Sequence, residues 1–201
     1  MKTNEVRIIG GAWRSRRIHF PDRTGLRPTP DRVRETVFNW LGQDLTGLTC
    51  LDLFAGSGAL GFEAASRGAA RVVMVENDGL AYKALCANRD ALEAHQVEMK
   101  RMDALEFLRS DAGDEAHYDV IFADPPFSAD YWARLVTLLP ACMKRGARVY
   151  CESREPPVWP AQWKVVKQGR AGQVVFQLIK WTVHESDRDL PGDIRSDHAR
   201  P

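Results

Sequence analysis

Three short stretches of this 201-residue chain hold residue types whose order suggests chemistry. The first is Leu51-Asp-Leu-Phe-Ala-Gly-Ser-Gly-Ala-Leu-Gly61, an apolar run that breaks into a glycine turn and resumes as a helix. Gly56 and Gly58 permit backbone conformations and a close ligand approach that a Cβ would block, and the helix start leaves N–H groups without partners. With Gly61 the spacing is G-x-G-x-x-G, which serves dinucleotides and also occurs as a purely structural turn. Two carboxylates narrow the choice. Asp52 lies inside the turn, where it repels phosphate and attracts an ammonium group. Glu76 ends the next apolar run, 18 residues after Gly58, where a carboxylate accepts a pair of ribose hydroxyls. Asp103 is placed to accept from an adenine amino group, and the Ala104 N–H to donate to a ring nitrogen. Singly, Glu76 also reads as a solvated strand end and Asp103 as a helix N-cap. In this order, after the glycine turn, they favour S-adenosylmethionine over a dinucleotide.

The second stretch is Asp124-Pro125-Pro126-Phe127, following the apolar Val120-Ile-Phe-Ala. An exocyclic base nitrogen is a poor nucleophile because its lone pair is delocalised into the ring. The Asp124 carboxylate and the Pro125 carbonyl can accept its two N–H groups, turn the lone pair toward a sulfonium methyl and stabilise the positive charge that develops. The prolines stiffen that backbone, and Phe127 offers a face for stacking an extruded base. The same residues in isolation would also suit a strand stop with an inward-packing phenylalanine.

The third stretch is basic. Through Glu35 there are nine Lys or Arg against four Asp or Glu, a local charge of +5 on a chain whose total is +1. Arg7, Arg14, Arg16 and Arg17 surround Trp13, and Arg27 follows, a composition suited to a polyanion and to base stacking. Trp13 reads equally well as the residue that anchors a hairpin. The four cysteines are far apart with no C-x-x-C pair, and the five histidines have no metal-ligand spacing, so no metal is expected.

The elements that must position these residues follow from periodicity. From residue 48 onward apolar runs at 48–53, 71–76, 97–102, 118–123 and 147–152 alternate with helical patterns, which implies βαβ units and a parallel sheet. Two further strands, 163–168 and 173–181, are separated only by a glycine-bounded turn at 169–172. Ala81, Ala84, Leu85 and Leu92 share one helix face, and Tyr131, Leu135, Leu138 and Leu139 another. Near the start, 6–9 and 17–20 flank GGAWRS as a hairpin. A helix then begins with Thr29 as its cap, Pro30 and Asp31 in its first turn, and an inward stripe of Val33, Val37, Trp40 and Leu41. The expected fold is α/β: a Rossmann-like, class I S-adenosylmethionine-dependent methyltransferase with a seven-stranded, mostly parallel sheet, helices on both faces and an N-terminal β-hairpin extension. Residues 1–28 form the basic extension, 29–183 the Rossmann-like domain and 184–201 a disordered polar tail. No apolar run approaches the length of a membrane span, and the N-terminus lacks a signal-peptide core, so a cytoplasmic monomer is expected.

At this point the residues resemble a known family, the bacterial small-subunit ribosomal RNA guanine-N2 methyltransferases of the RsmD type. LDLFAGSGALG, VEND and DPPF are shared by many amino methyltransferases, whereas RIIGGAWRSRRIHFP followed by GLRPTPDRVRETVFNWL is specific. The resemblance implies that the Asp52–Gly58 turn, Phe54 included, binds S-adenosylmethionine together with Glu76 and Asp103. It implies that Asp124, Pro125, Pro126 and Phe127 hold the guanine amino group, that Arg27, Pro28 and Thr29 sit beside the active site, and that the partner is small-subunit ribosomal RNA or a ribosomal particle. The motifs alone leave adenine N6 in DNA or RNA and a protein amide nitrogen open as methyl acceptors. A nucleotide-dependent oxidoreductase would leave Asp124 to Phe127 unexplained. A non-catalytic RNA-binding ribosome assembly factor would need the arginines but no donor site.

Overall fold

A computed structural model of the chain describes residues 3–23, 26–111, 117–126 and 131–182. The expected polar tail, 184–201, therefore lies outside the described residues, as does Phe127. Strands β1 (Thr3–Arg7) and β2 (Arg17–Pro21) form an antiparallel hairpin in which Val6 faces Ile18, and the buried Val6, Ile18 and Phe20 make its inner side. Helix α1 (Asp31–Leu41) leads to the main sheet, built from β3 (Thr49–Asp52), β4 (Arg71–Val75), β5 (Val97–Lys100), β6 (Tyr118–Ala123), β7 (Met143–Ser153), β8 (Trp163–Ala171) and β9 (Val174–Trp181). Between them run α2 (Ala59–Ser66), α3 (Gly79–Leu92), α4 (Ala104–Asp111) and α5 (Tyr131–Leu138). The sheet order is β5-β4-β3-β6-β7-β9-β8, and only β9 is antiparallel to its neighbours. This is the expected Rossmann-like arrangement, and the order reverses between β3 and β6, where such sheets open a crevice at their carboxyl ends.

Strand alternation divides the interior in two. Cys50, Val72, Met74, Val120, Phe122 and Tyr150 point to one core, shared with α1, α2, α3 and the hairpin. Leu51, Val73, Val75, Ile121, Ala123 and Val149 point to the other, shared with α4 and α5. The hairpin is thus fastened to the main domain by common apolar burial. Polar bonds reinforce it: the Asn88 side chain on α3 accepts from the His19 N–H at 2.9 Å and donates to the His19 carbonyl at 2.7 Å. The loop after β1 is bound to the end of α2, where Ala12 N–H meets the Ser66 carbonyl at 2.7 Å and Trp13 N–H meets Ser66 Oγ at 2.9 Å.

Three local expectations are corrected. Thr29 does not cap α1: Pro30 occupies that position without a side-chain bond, and the Thr29 hydroxyl is turned inward to Glu152. The last hairpin turn is tighter than 169–172, because β8 continues through Ala171. Gly169 belongs to the strand, since the Phe176 ring lies where its Cβ would stand, 2.3 Å away at the nearest atom. Strand β7 begins at Met143 rather than near 147, pairing first with Tyr118 across a register shift. Cys50, Cys142 and Cys151 are buried and free, and burial pushes the thiols of Cys50 and Cys142 up to about 12, so both stay protonated and inert at neutral pH. Among the described residues no helix is long and apolar enough to cross a membrane.

Candidate active site

The carboxyl ends of β4, β3, β6 and β7, adjacent in that order, bear Glu76, Asp52, Asp124 and Glu152. Each continues the parity of the inward-facing Met74, Cys50, Phe122 and Tyr150 on its own strand, so strand geometry places four acids in one row. All four line a cleft of about 1230 Å³. Phe54, Gly56, Asp103, Ala104, Pro125 and Pro126 line it too, as do Arg27, Pro28 and Thr29. The expected donor and methyl-transfer residues are therefore brought together, with two exceptions. Phe127 lies outside the described residues. Gly58 lies behind the cleft: at φ +81° it takes the left-handed conformation that opens α2, and a Cβ there would stand 2.7 Å from Leu85 and Phe62. Packing against α3, not ligand approach, requires that glycine.

The acids organise the backbone around them. Asp52 Oδ2 accepts from the Gly61 N–H at 2.9 Å, so a carboxylate already occupies the start of α2, where a dinucleotide would put phosphate. Glu76 accepts from the Gly56 N–H at 2.8 Å with one oxygen and from the Asp78 N–H at 2.7 Å with the other, which fixes the glycine turn against β4. Asp103 Oδ1 accepts from the Leu105 and Glu106 N–H groups and caps α4, the alternative reading of that residue. That bond leaves the carboxylate at the cleft wall. Phe54 meets Tyr131 edge to face, with centroids 5.5 Å apart.

Burial raises Asp52, Asp124 and Glu152. Desolvation, only partly offset by the Gly61 N–H, pushes Asp52 up to about 7. Asp124 is raised well above the ordinary carboxylate range, first by desolvation and then by the negative charges of Glu152 and Asp52. Glu152 is raised by burial and drawn back by two hydroxyl donors, Tyr150 at 2.6 Å and Thr29 at 3.2 Å, both on Oε1. Glu152, Tyr150 and this function of Thr29 were not readable as site residues. A usable signal was present, because Glu152 closes an apolar strand run as Glu76 and Asp124 do.

The basic segment is less free than its composition implies. Arg7 pairs with Asp31, Arg17 pairs with Glu5, and Arg16 donates to the Ala91 carbonyl at 2.7 Å. Arg14 is exposed on the hairpin loop, and Arg27 is exposed at the cleft wall. Trp13 is half-buried against the core, which favours its anchoring role.

The chain is similar to known proteins over nearly its whole length. The family model described as conserved hypothetical protein 95 matches residues 6–180. Ribosomal RNA small subunit methyltransferase D of Escherichia coli strain K12 is 39% identical over 193 residues, covering 93% of this chain and 96% of the relative. The protein of the same name from Haemophilus influenzae is 40% identical over 184 residues, covering 88% and 94%. The solved structure of Escherichia coli yhhF superposes with a TM-score of 0.80 at 39% identity, covering 90% of this chain and all of its own. With that identity over nearly its whole length, the chain belongs to the ribosomal RNA small subunit methyltransferase D family.

Proposed function

We propose that the chain transfers a methyl group from S-adenosylmethionine to the exocyclic N2 of a guanine in small-subunit ribosomal RNA. The observation that supports this best is the row of four acids at the sheet's carboxyl edge, because both reactants are rich in donors there. S-adenosylmethionine supplies an electrophilic sulfonium methyl. In this reading Asp52 faces the donor's ammonium group, Glu76 accepts from its ribose hydroxyls, and Asp103 with the Ala104 N–H reads its adenine. Asp124 and the Pro125 carbonyl accept the two amino hydrogens of the guanine. Asp124, raised by its surroundings, is suited to take the proton that the nitrogen sheds once it carries the methyl group. An oxidoreductase reading is disfavoured by Asp52, whose bond to Gly61 occupies the phosphate position.

The relatives' names point to ribosomal RNA; the exposed Arg27 at the cleft wall suits a phosphate backbone passing the cleft mouth, and the exposed Arg14 on the hairpin loop suits a contact farther along it. The reading places the enzyme in the cytoplasm with the ribosomal particle as its partner. The test is incubation with labelled methyl donor and small-subunit particles from cells that lack the enzyme, followed by mass spectrometry of the nucleosides. Label in N2-methylguanosine is expected. Label in N6-methyladenosine, or only in protein, would overturn the reading.

A further inference from the structure

Glu152 is held in a way that a packing residue does not require. It is buried, at 8% exposure, yet it lines the cleft. The bonds that fix it come from neutral hydroxyls, one on its own strand and one from the segment before α1, 123 residues away in sequence. Both fall on Oε1, which sets the carboxylate's direction. Strand register then defines its neighbour: Ala123 on β6 lies opposite Cys151 on β7, so Asp124 and Glu152 form the next pair, on the side of Phe122 and Tyr150. A buried carboxylate held, among the described residues, by hydrogen bonds from two hydroxyls weakens the fold relative to an uncharged residue of like shape, so retaining the charge calls for a ligand that uses it.

Resting on the methyl-transfer function proposed above, we infer that Glu152 is a specificity-determining residue that accepts the guanine N1–H while its neighbour Asp124 accepts the 2-amino group. Guanine carries N1–H and the 2-amino group side by side on one edge, two donors in a row. Adenine offers one donor beside one acceptor, and cytosine one donor beside two acceptors. Two neighbouring acceptors suit the first pattern and leave an unsatisfied, repelling pair with the others. The Tyr150 and Thr29 hydroxyls strengthen the preference, since donors on Oε1 favour the ionised, acceptor-only form. The segment bearing Thr29 thus takes part in base selection through Glu152 as a positioning element.

The test compares two substrates at the methylated position, once mapped: ribosomal RNA with guanine there, and the same RNA with 2-aminopurine, which keeps the 2-amino group but has a bare N1 acceptor. Wild type should prefer guanine by about 100-fold or more in kcat/KM. Glu152→Gln can donate to N1 through its amide. It should keep donor affinity by calorimetry, lose about 100-fold on guanine, and bring the two substrates within about tenfold of each other. Tyr150→Phe, which keeps the carboxylate but removes one of its two hydroxyl partners, should narrow the preference partway and covers the case in which the first variant does not fold. A Glu152→Gln enzyme with an unchanged preference, or with guanine activity within threefold of wild type, overturns the inference while leaving the methyl-transfer function intact. Absence of N2-methylguanosine from wild type overturns the function itself.

Discussion

Asp124 is the residue on which the proposed chemistry turns, and its surroundings make its substitution informative. Asp124→Asn preserves shape and one acceptor oxygen but removes the charge aimed at the developing cation. Turnover should fall about 100- to 1000-fold while S-adenosylmethionine affinity changes little, as read by single-turnover kinetics and calorimetry. Near-native turnover would remove Asp124 from the chemistry. Asp52 gives a pH signature. Its folded value of about 7 stands above its ordinary 3.8, so the folded protein binds this proton more tightly than the unfolded chain. Its stabilising contribution is complete below about pH 4, declines as pH rises toward 7 and is gone above that. A bound ammonium group favours the ionised form, so the rise in melting temperature on adding donor should grow between pH 6 and 8. Asp52→Asn should flatten that growth; equal growth in the variant would show that Asp52 does not face the donor. Asp52, Glu76, Asp103 and Asp124 were legible because each follows a strand or turn signal. Glu152 was not, although it closed the expected strand 147–152, because no glycine turn or Asp-Pro-Pro-Phe motif marked it as chemical, and Thr29 looked like a cap because its partner lies far along the chain.

The elements show the same division between local and distant information. The βα alternation and the hairpins were readable because their periodicity is local, while the brace between α1 and α2 was not. Arg34 lies in the inward stripe of α1 and is fully buried. It donates to Glu63 on α2 at 3.2 Å, to Asp31 at 2.7 Å, and to the carbonyls of Arg7 and Thr29 at 2.7 and 3.1 Å. Glu63, also fully buried, accepts from Arg67 and from the Ile9 N–H, both at 2.8 Å. One charged pair thereby joins the hairpin, the Thr29 segment and the helix that follows the glycine turn. Arg34→Met would remove one partner and leave Glu63 buried with less compensation, costing about 3–5 kcal/mol. At this chain length that corresponds to a drop of roughly 6–20 °C in melting temperature. Arg34→Met combined with Glu63→Gln should recover part of the loss, because the uncompensated charge is gone. A single variant melting within 1 °C of wild type would show that the brace carries no stability.

At the scale of the whole molecule, charge is separated in space as well as along the chain. The acids converge at the sheet edge inside the cleft, whereas the exposed arginines of the basic N-terminal segment lie on the hairpin, on the segment leading into α1 and on α1 itself. In the proposed function, a polyanion presenting a donor-rich base to the acids would rest its backbone on exposed basic residues such as Arg27 at the cleft wall. Ion pairing decides which arginines are available to it. Arg7 and Arg17 already face carboxylates, and Arg16 holds the end of α3, so neutralising them changes the protein's own contacts along with any RNA contact. Arg14 and Arg27 are exposed and make no ion pair among the described residues, which makes them the cleaner probes. If each contacts one phosphate, Arg14→Gln with Arg27→Gln should make the slope of log affinity against log salt shallower by roughly 1.4–1.8, at 0.7–0.9 per contact. Donor affinity and melting temperature should stay at wild-type values, which separates lost RNA contact from a disturbed fold. The measurement is binding to small-subunit particles across a salt series for wild type and the double variant. An unchanged slope would mean that the RNA approaches the cleft from another side, and the exposed lysines and arginine of β8 would be the next surface to neutralise.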